Sequence, residues 1–161
     1  IMHRKLFQDS RFSFAKSNVD MQRSTFDLSH GHHLSMNAGM LVPFFIQEVL
    51  PGDTFQFSDA FVARTTSPPV APVMDTSMLD QWLFYVPWRI VWDHTKEFFG
   101  ENRESSWTND NEYFIPQLNT VGEGFAENGL ADYFGIPTKV PTRVNALPFR
   151  AYREIWNEWF R

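Results

Sequence analysis

"STFDLSHGHHLSMNAGMLVPFFIQEVLPGDTFQFSDAFVARTT", Ser24 to Thr66, is a succession of short β-prone pieces, with Pro51, Gly52 and Asp53 supplying turn chemistry between two of them. It reads as antiparallel β structure. Beyond the turn, Phe55, Phe57 and Phe61 share one parity of a strand template while Gln56 and Ser58 take the other, so one face is expected to be buried, although Asp59 interrupts the alternation. Pro43 belongs at a strand start, an edge or a bulge, because it has no amide to donate to a ladder.

Outward from this stretch the punctuation is frequent. "TTSPPVAPVMD" (Thr65–Asp75) holds Pro68, Pro69 and Pro72 and must be an extended connection. "MLDQWLFYVPWRIVW" then reads as a central strand as far as Val86, covered on both faces and ended by Pro87. "WDHTKEFFG" offers Asp93 as an N-cap, Glu97 in the first turn and Gly100 as a C-cap for a helix of about two turns. Residues 101–124 are polar and irregular, with room for a brief strand around Tyr113–Ile115. "GLADYFGIP" is a second short helix closed by Gly135 and Pro137, and "TKVPTRVNALP" is extended again. "ALPFRAYREIWNEWFR" (Ala146–Arg161) is an amphipathic helix with Phe149, Tyr152, Trp156 and Trp159 in one stripe, widened by Ile155 and Phe160. Arg150, Arg153, Glu154 and Glu158 form its charged face. Strands first, then short helices and long polar connections, describe a β scaffold with elaborate loops rather than an alternating βα unit.

Of the 161 residues, 43% are hydrophobic and 17% aromatic, which excludes a disordered or fibrous chain. The length suffices for one domain that hides about 68–70% of its unfolded surface. With no cysteine, disulfides, thiolate metal sites and thiol catalysis are all excluded. No apolar run is long enough to span a membrane. The formal charge of −5 conceals an asymmetry: Arg4, Lys5, Arg11, Lys16 and Arg23 against Asp9 and Asp20 give residues 1–23 a net +3, which leaves −8 for residues 24–161. Phe7, Phe12 and Phe14 interleave with these cations, a texture suited to single-stranded nucleic acid, where phosphates meet Lys or Arg and bases stack on rings. The bland alternative is a polar terminal arm.

Candidate chemistry is sparse. His30, His32 and His33 with Asp27 are metal-compatible residue types, but adjacent histidines point to opposite sides of a strand and Gly31 marks a turn, so a polar loop is the better reading. His94 with Asp93 or Glu97 could form an acid/base pair, yet no nucleophile or oxyanion donor accompanies it. "VGEGFAENG" lacks the Lys-Ser or Lys-Thr partner of a phosphate loop. No catalytic, cofactor or metal site is therefore assigned. Six tryptophans could build a sugar-stacking platform in a carbohydrate-binding β-sandwich. Burial accounts for Trp82, Trp88, Trp92, Trp156 and Trp159, leaving Trp107 as the exposed candidate.

Five phrases in order, "STFDLSHGH", "NAGMLVPFFIQEVLPGDTF", "FYVPWRIVWDHTKEFFGEN", "ADYFGIPT" and "VNALPFRAYREIWNEWFR", with the basic "HRKLFQDSRFS" before them, resemble the amino-terminal part of the major capsid protein of gokushoviruses, the Microviridae branch of small icosahedral single-stranded DNA phages. The resemblance implies an antiparallel eight-stranded jelly roll with helical and loop insertions, only its first part present: an arm over residues 1–23, then the beginning of the capsid domain over residues 24–161. It implies a structural, non-enzymatic protein without cofactors, assembled in the bacterial host cytoplasm into a T=1 virion. Its partners would be copies of itself, circular single-stranded DNA and other virion proteins, with no membrane. On that reading Arg4, Lys5, Arg11, Lys16 and Arg23 face the genome. Phe149, Tyr152, Trp156 and Trp159 await later parts of the same protein or a neighbouring subunit, the Ile1 start and the helical end both reflecting truncation.

Overall fold

The computed structural model describes residues 22–67, 69–72, 74–101 and 113–161. The chain divides into two units, Ile1–Gly31 and His32–Arg161. In the first, Asp27 Oδ1 accepts from the Ser29 amide at 3.0 Å and from the Ser29 hydroxyl, and these bonds hold its carboxyl below the ordinary range.

The second unit carries the regular elements. In chain order they are α1 (Trp88–Val91), α2 (Thr95–Phe98), β1 (Gln117–Asn119), α3 (Leu130–Tyr133), β2 (Arg143–Asn145) and α4 (Leu147–Ile155), which continues as a π-helical turn over Trp156–Phe160. β1 and β2 pair antiparallel, with Gln117 opposite Asn145, Leu118 opposite Val144 and Asn119 opposite Arg143. Flanking residues lengthen this ladder at both ends. At one end Thr120 donates its amide to the Thr142 carbonyl (3.0 Å) and accepts from the Thr142 amide through its hydroxyl (2.9 Å). At the other the Pro116 carbonyl accepts from the Ala146 amide (2.9 Å), while the Ala146 carbonyl, to which a proline cannot donate in return, accepts from the Arg150 amide (3.1 Å).

Two short helices end by the same device. After α2 the Gly100 amide bonds the Glu97 carbonyl and Glu101 bonds Lys96, both at 3.0 Å, with Gly100 at φ +98. After α3 the Gly135 amide bonds Asp132 (2.9 Å) and Ile136 bonds Ala131 (3.0 Å), with Gly135 at φ +75. Both are Schellman closures, which the glycines make possible by adopting the left-handed conformation without steric cost. The sequence places both stops correctly. It errs at the start of α2, where His94, not Asp93, is the N-cap, and the helix runs one turn instead of two. The strand expected around Tyr113–Ile115 lies instead at Gln117–Asn119, beyond Pro116, where consecutive amides become available for pairing.

The larger difference concerns the β content. Residues 24–66 and 78–86 contain no strand; they are extended or irregular and mostly exposed. The Leu50–Asp53 turn forms as expected: Asp53 donates to the Leu50 carbonyl (3.1 Å), its carboxylate accepts from the Leu50 amide (3.1 Å), and Gly52 has φ +90. Across it Phe57 meets Phe45 at 5.4 Å, but no ladder follows. Phe55, Phe57 and Phe61 remain 42–45% exposed, and in the expected central strand Met78, Leu83 and Tyr85 remain 67–88% exposed. The physical reason is that β propensity reports fitness for a pleated surface that neighbours must complete, and among the described residues only the β1–β2 ladder supplies such neighbours. Four apolar residues are buried among those described: Trp92, Ala131, Ala146 and Leu147. The expectation that burial accounts for five tryptophans holds for Trp92 alone.

Gly124 joins the ladder region to the Phe125–Thr138 bridge at φ +79, and a Cβ there would lie 2.7 Å from the Val140 carbonyl carbon. Gly122 has φ +87 with open space around it. Gly122→Ala should therefore cost about 1–2 kcal/mol from backbone conformation alone. Gly124→Ala should cost a further ~1–3 kcal/mol of overpacking, measured as the difference between their urea unfolding midpoints.

Candidate functional site

The surface most developed for contact is the aromatic side of α4. Its position is fixed at the β2–α4 junction, where the Asn145 side chain accepts from the Leu147 amide (2.9 Å) and the Ala146 amide reaches Pro116. Pro148 occupies the first turn, where its absent amide is not needed. Along the helix, Arg150 donates from Nη1 to the Val91 carbonyl at 3.1 Å and so engages the last residue of α1. The sequence assigns Arg150 to a solvated face; no spacing rule signals a contact 59 residues back along the chain.

The four rings of the stripe do not behave alike. Phe149 stacks on Phe125 (6.1 Å) and meets Phe134 edge-on (5.1 Å). Tyr152 meets the same Phe134 edge-on (6.5 Å), and its hydroxyl donates to the Leu41 carbonyl at 2.8 Å. Burial pushes the Tyr152 phenol above its ordinary pKa, which keeps it a donor. The expectation that this face lacks partners within these residues is thus corrected for its first half.

The second half is rephased. Regular α spacing puts Trp159 in line with Trp156, but the turn over Trp156–Phe160 is π-helical, so i→i+5 bonding shifts which residues stack above one another. Phe160, four residues on and part of the stripe already, touches Trp156 (6.2 Å) and meets Trp82 (5.4 Å) and Phe84 (6.2 Å) edge-on. Trp159 contacts Phe84 at 5.9 Å yet is 72% exposed, and Trp156 is 44% exposed. Between residues 84–90 and this helix lies a groove of about 270 Å³, whose walls include Phe84, Ile90, Ile155 and Trp159 together with the carboxylates Glu154 and Glu158.

The other candidates do not gather into a reactive site. His94 stacks on Tyr113 (4.4 Å) with Nδ1 3.4 Å from Glu97 Oε2, while Asp93 takes no part in that pair. The His30 ring meets the Leu28 carbonyl at 2.9 Å, and His32 and His33 are exposed. No group of three metal-ligating side chains occurs among the described residues, nor any helix long and apolar enough to cross a membrane. Arg23 is exposed; Arg4, Lys5, Arg11, Lys16 and Trp107 lie outside the described residues.

Among the described residues the rings of Trp82, Tyr85, Trp156 and Trp159 are exposed, while the titratable side chains gather into no reactive cluster. Comparison with known sequences names the family. The chain belongs to the phage family described as "Capsid protein (F protein)", which it matches over residues 15–161. It is 45% identical to capsid protein VP1 of Chlamydia phage 1 over 94% of this chain and 26% of that protein. Capsid protein VP1 of Bdellovibrio phage phiMH2K is 42% identical over 94% of the chain and 28% of its own length. For capsid protein VP1 of Spiroplasma virus 4 the identity is 38%, over 93% of the chain and 27% of that protein. The chain therefore spans about a quarter of the length of these relatives. The gokushovirus resemblance read from the five phrases is confirmed, and the carbohydrate-binding alternative finds no support.

Tyr152→Phe should lower stability by about 0.5–1.5 kcal/mol through removal of the bond to Leu41. Because the folded phenol titrates above its unfolded value, the contribution is complete below the ordinary tyrosine pKa and is lost as pH rises through the raised one. Alkaline difference absorbance of Tyr152→Phe against the parent should show the loss of one phenol that titrates above the ordinary tyrosine pKa.

Proposed function

We propose that this chain is the amino-terminal part of a structural major capsid protein that self-assembles into a small icosahedral shell around a circular single-stranded DNA genome. The observation that carries this reading is the match to the capsid family over residues 15–161. The exposed rings support it: side chains such as Leu83, Tyr85 and Trp159, each 67–76% exposed, bind favourably only when another surface covers them. The role is structural, without catalysis or cofactor.

In this reading the capsid domain beginning at residue 24 is an antiparallel jelly roll. Residues 24–66 and 78–86 are strands whose ladder partners are supplied by further strands of the capsid protein. Their apolar, β-prone composition supports the assignment, since unpaired amides and carbonyls must find partners once water is excluded. The arm of residues 1–23 faces inward, and Arg4, Lys5, Arg11, Lys16 and Arg23 neutralise genomic phosphate, an assignment that rests on its net +3 against −8 for the remainder. Other virion proteins are further partners, and assembly takes place in the bacterial cytoplasm.

Sedimentation and negative-stain microscopy of the complete capsid reading frame should show closed shells; a discrete monomer that never assembles would overturn the reading. Replacing the five arm cations by Gln should flatten the salt dependence of single-stranded DNA binding by about 0.7 for each phosphate no longer neutralised. An unchanged slope would remove the arm from the genome.

A further inference from the structure

We propose that the groove between residues 84–90 and α4 receives the basic aromatic arm of a second copy of this chain, with Arg11, Phe12 and Phe14 as the inserted residues. The proposal rests on the self-assembly reading and deepens it by naming one contact between copies.

The groove combines two properties that restrict what can fill it. Its walls present apolar surface from Phe84, Ile90, Ile155 and the largely exposed Trp159. Beside these stand Glu154 and Glu158, one helical turn apart and of like charge, and neither has an ion-pair partner among the described residues. An occupant that covered the rings with purely apolar groups would desolvate two carboxylates without compensation. The fitting ligand carries rings and cations together.

This sequence contains such a segment. "RFSF" (Arg11–Phe14), laid in as an extended strand, sends Phe12 and Phe14 to one side about 6.6–6.8 Å apart and Arg11 to the other. Arg11 is the cation among the inserted residues, and its guanidinium can bridge two carboxylates one turn apart, so Arg4, Lys5 and Lys16 are not drawn into the groove and the genome-facing role is compatible. An arm given to a neighbour and a groove that receives one also make a head-to-tail contact, the kind that closes into rings when the rotation between copies allows.

The test uses the complete capsid protein with a photoreactive benzoylphenylalanine in place of Phe12, assembled from a mixture of heavy-isotope and unlabelled copies. Illumination should link position 12 of one copy to residues 84–90 or 154–159 of another, giving mixed heavy–light peptide pairs. Glu154→Lys with Glu158→Lys should abolish these pairs, and Arg11→Glu in the same chain should restore them. Glu154→Gln with Glu158→Gln, which keeps size and removes charge, should weaken them in protein that folds normally. Links confined to a single isotope class, links to DNA alone, or links indifferent to both glutamates would overturn the assignment while leaving the shell reading intact. Failure of the unsubstituted protein to form any shell would remove both.

Discussion

The arrangement of the regular elements depends on three consecutive residues at the β2–α4 junction. Asn145 closes the ladder opposite Gln117 and turns its side chain onto the Leu147 amide; Ala146 donates to Pro116, and Ala146 and Leu147 are the two most deeply buried of the four core residues. Because the last strand residue and the first helical residue are separated only by Ala146, the direction of α4 follows from the ladder. From that direction come the reach of Arg150 to Val91, of Tyr152 to Leu41 and of Phe160 to Trp82 and Phe84. Each ties α4 to a part of the chain otherwise poor in regular structure.

The contacts α4 makes are mainly ring to ring, and nearly all are tilted or edge-on; Phe125 on Phe149 is the stacked exception. Such geometry follows from the quadrupole of the aromatic ring and adds modestly to the burial each ring achieves. It also leaves ring faces open, as at Trp156 and Trp159. A surface of this kind suits a protein that continues to acquire neighbours, and it agrees with membership of a capsid family.

What can be read from the sequence divides along the line between local and distant interactions. The Leu50–Asp53 turn, the closures at Gly100 and Gly135 and the helix after Asn145 depend on residues within a few positions of one another, and all appear where their signals lie. The β strands over 24–66 and 78–86 follow from composition and alternation, yet a strand exists only by virtue of its partner, and none occurs beside those segments among the described residues. Trp159 shows the same limit at smaller scale. Its spacing suits an α-helical stripe, but the π turn over Trp156–Phe160, which changes its phase, leaves no mark in the periodicity. Motif order, in contrast, is sufficient to name the family without any correct assignment of strands.

The span of the α4 contacts has a temporal meaning as well. Tyr152 bonds a carbonyl 111 residues earlier and Arg150 one 59 residues earlier. With a ribosome adding about 5–20 residues per second, Leu41 waits roughly 6–22 s for its hydroxyl donor. Throughout that interval the apolar residues around it are in water beside other nascent chains. The two bonds thus belong to the last contacts this stretch of chain can make, formed after the turns and short helices between them.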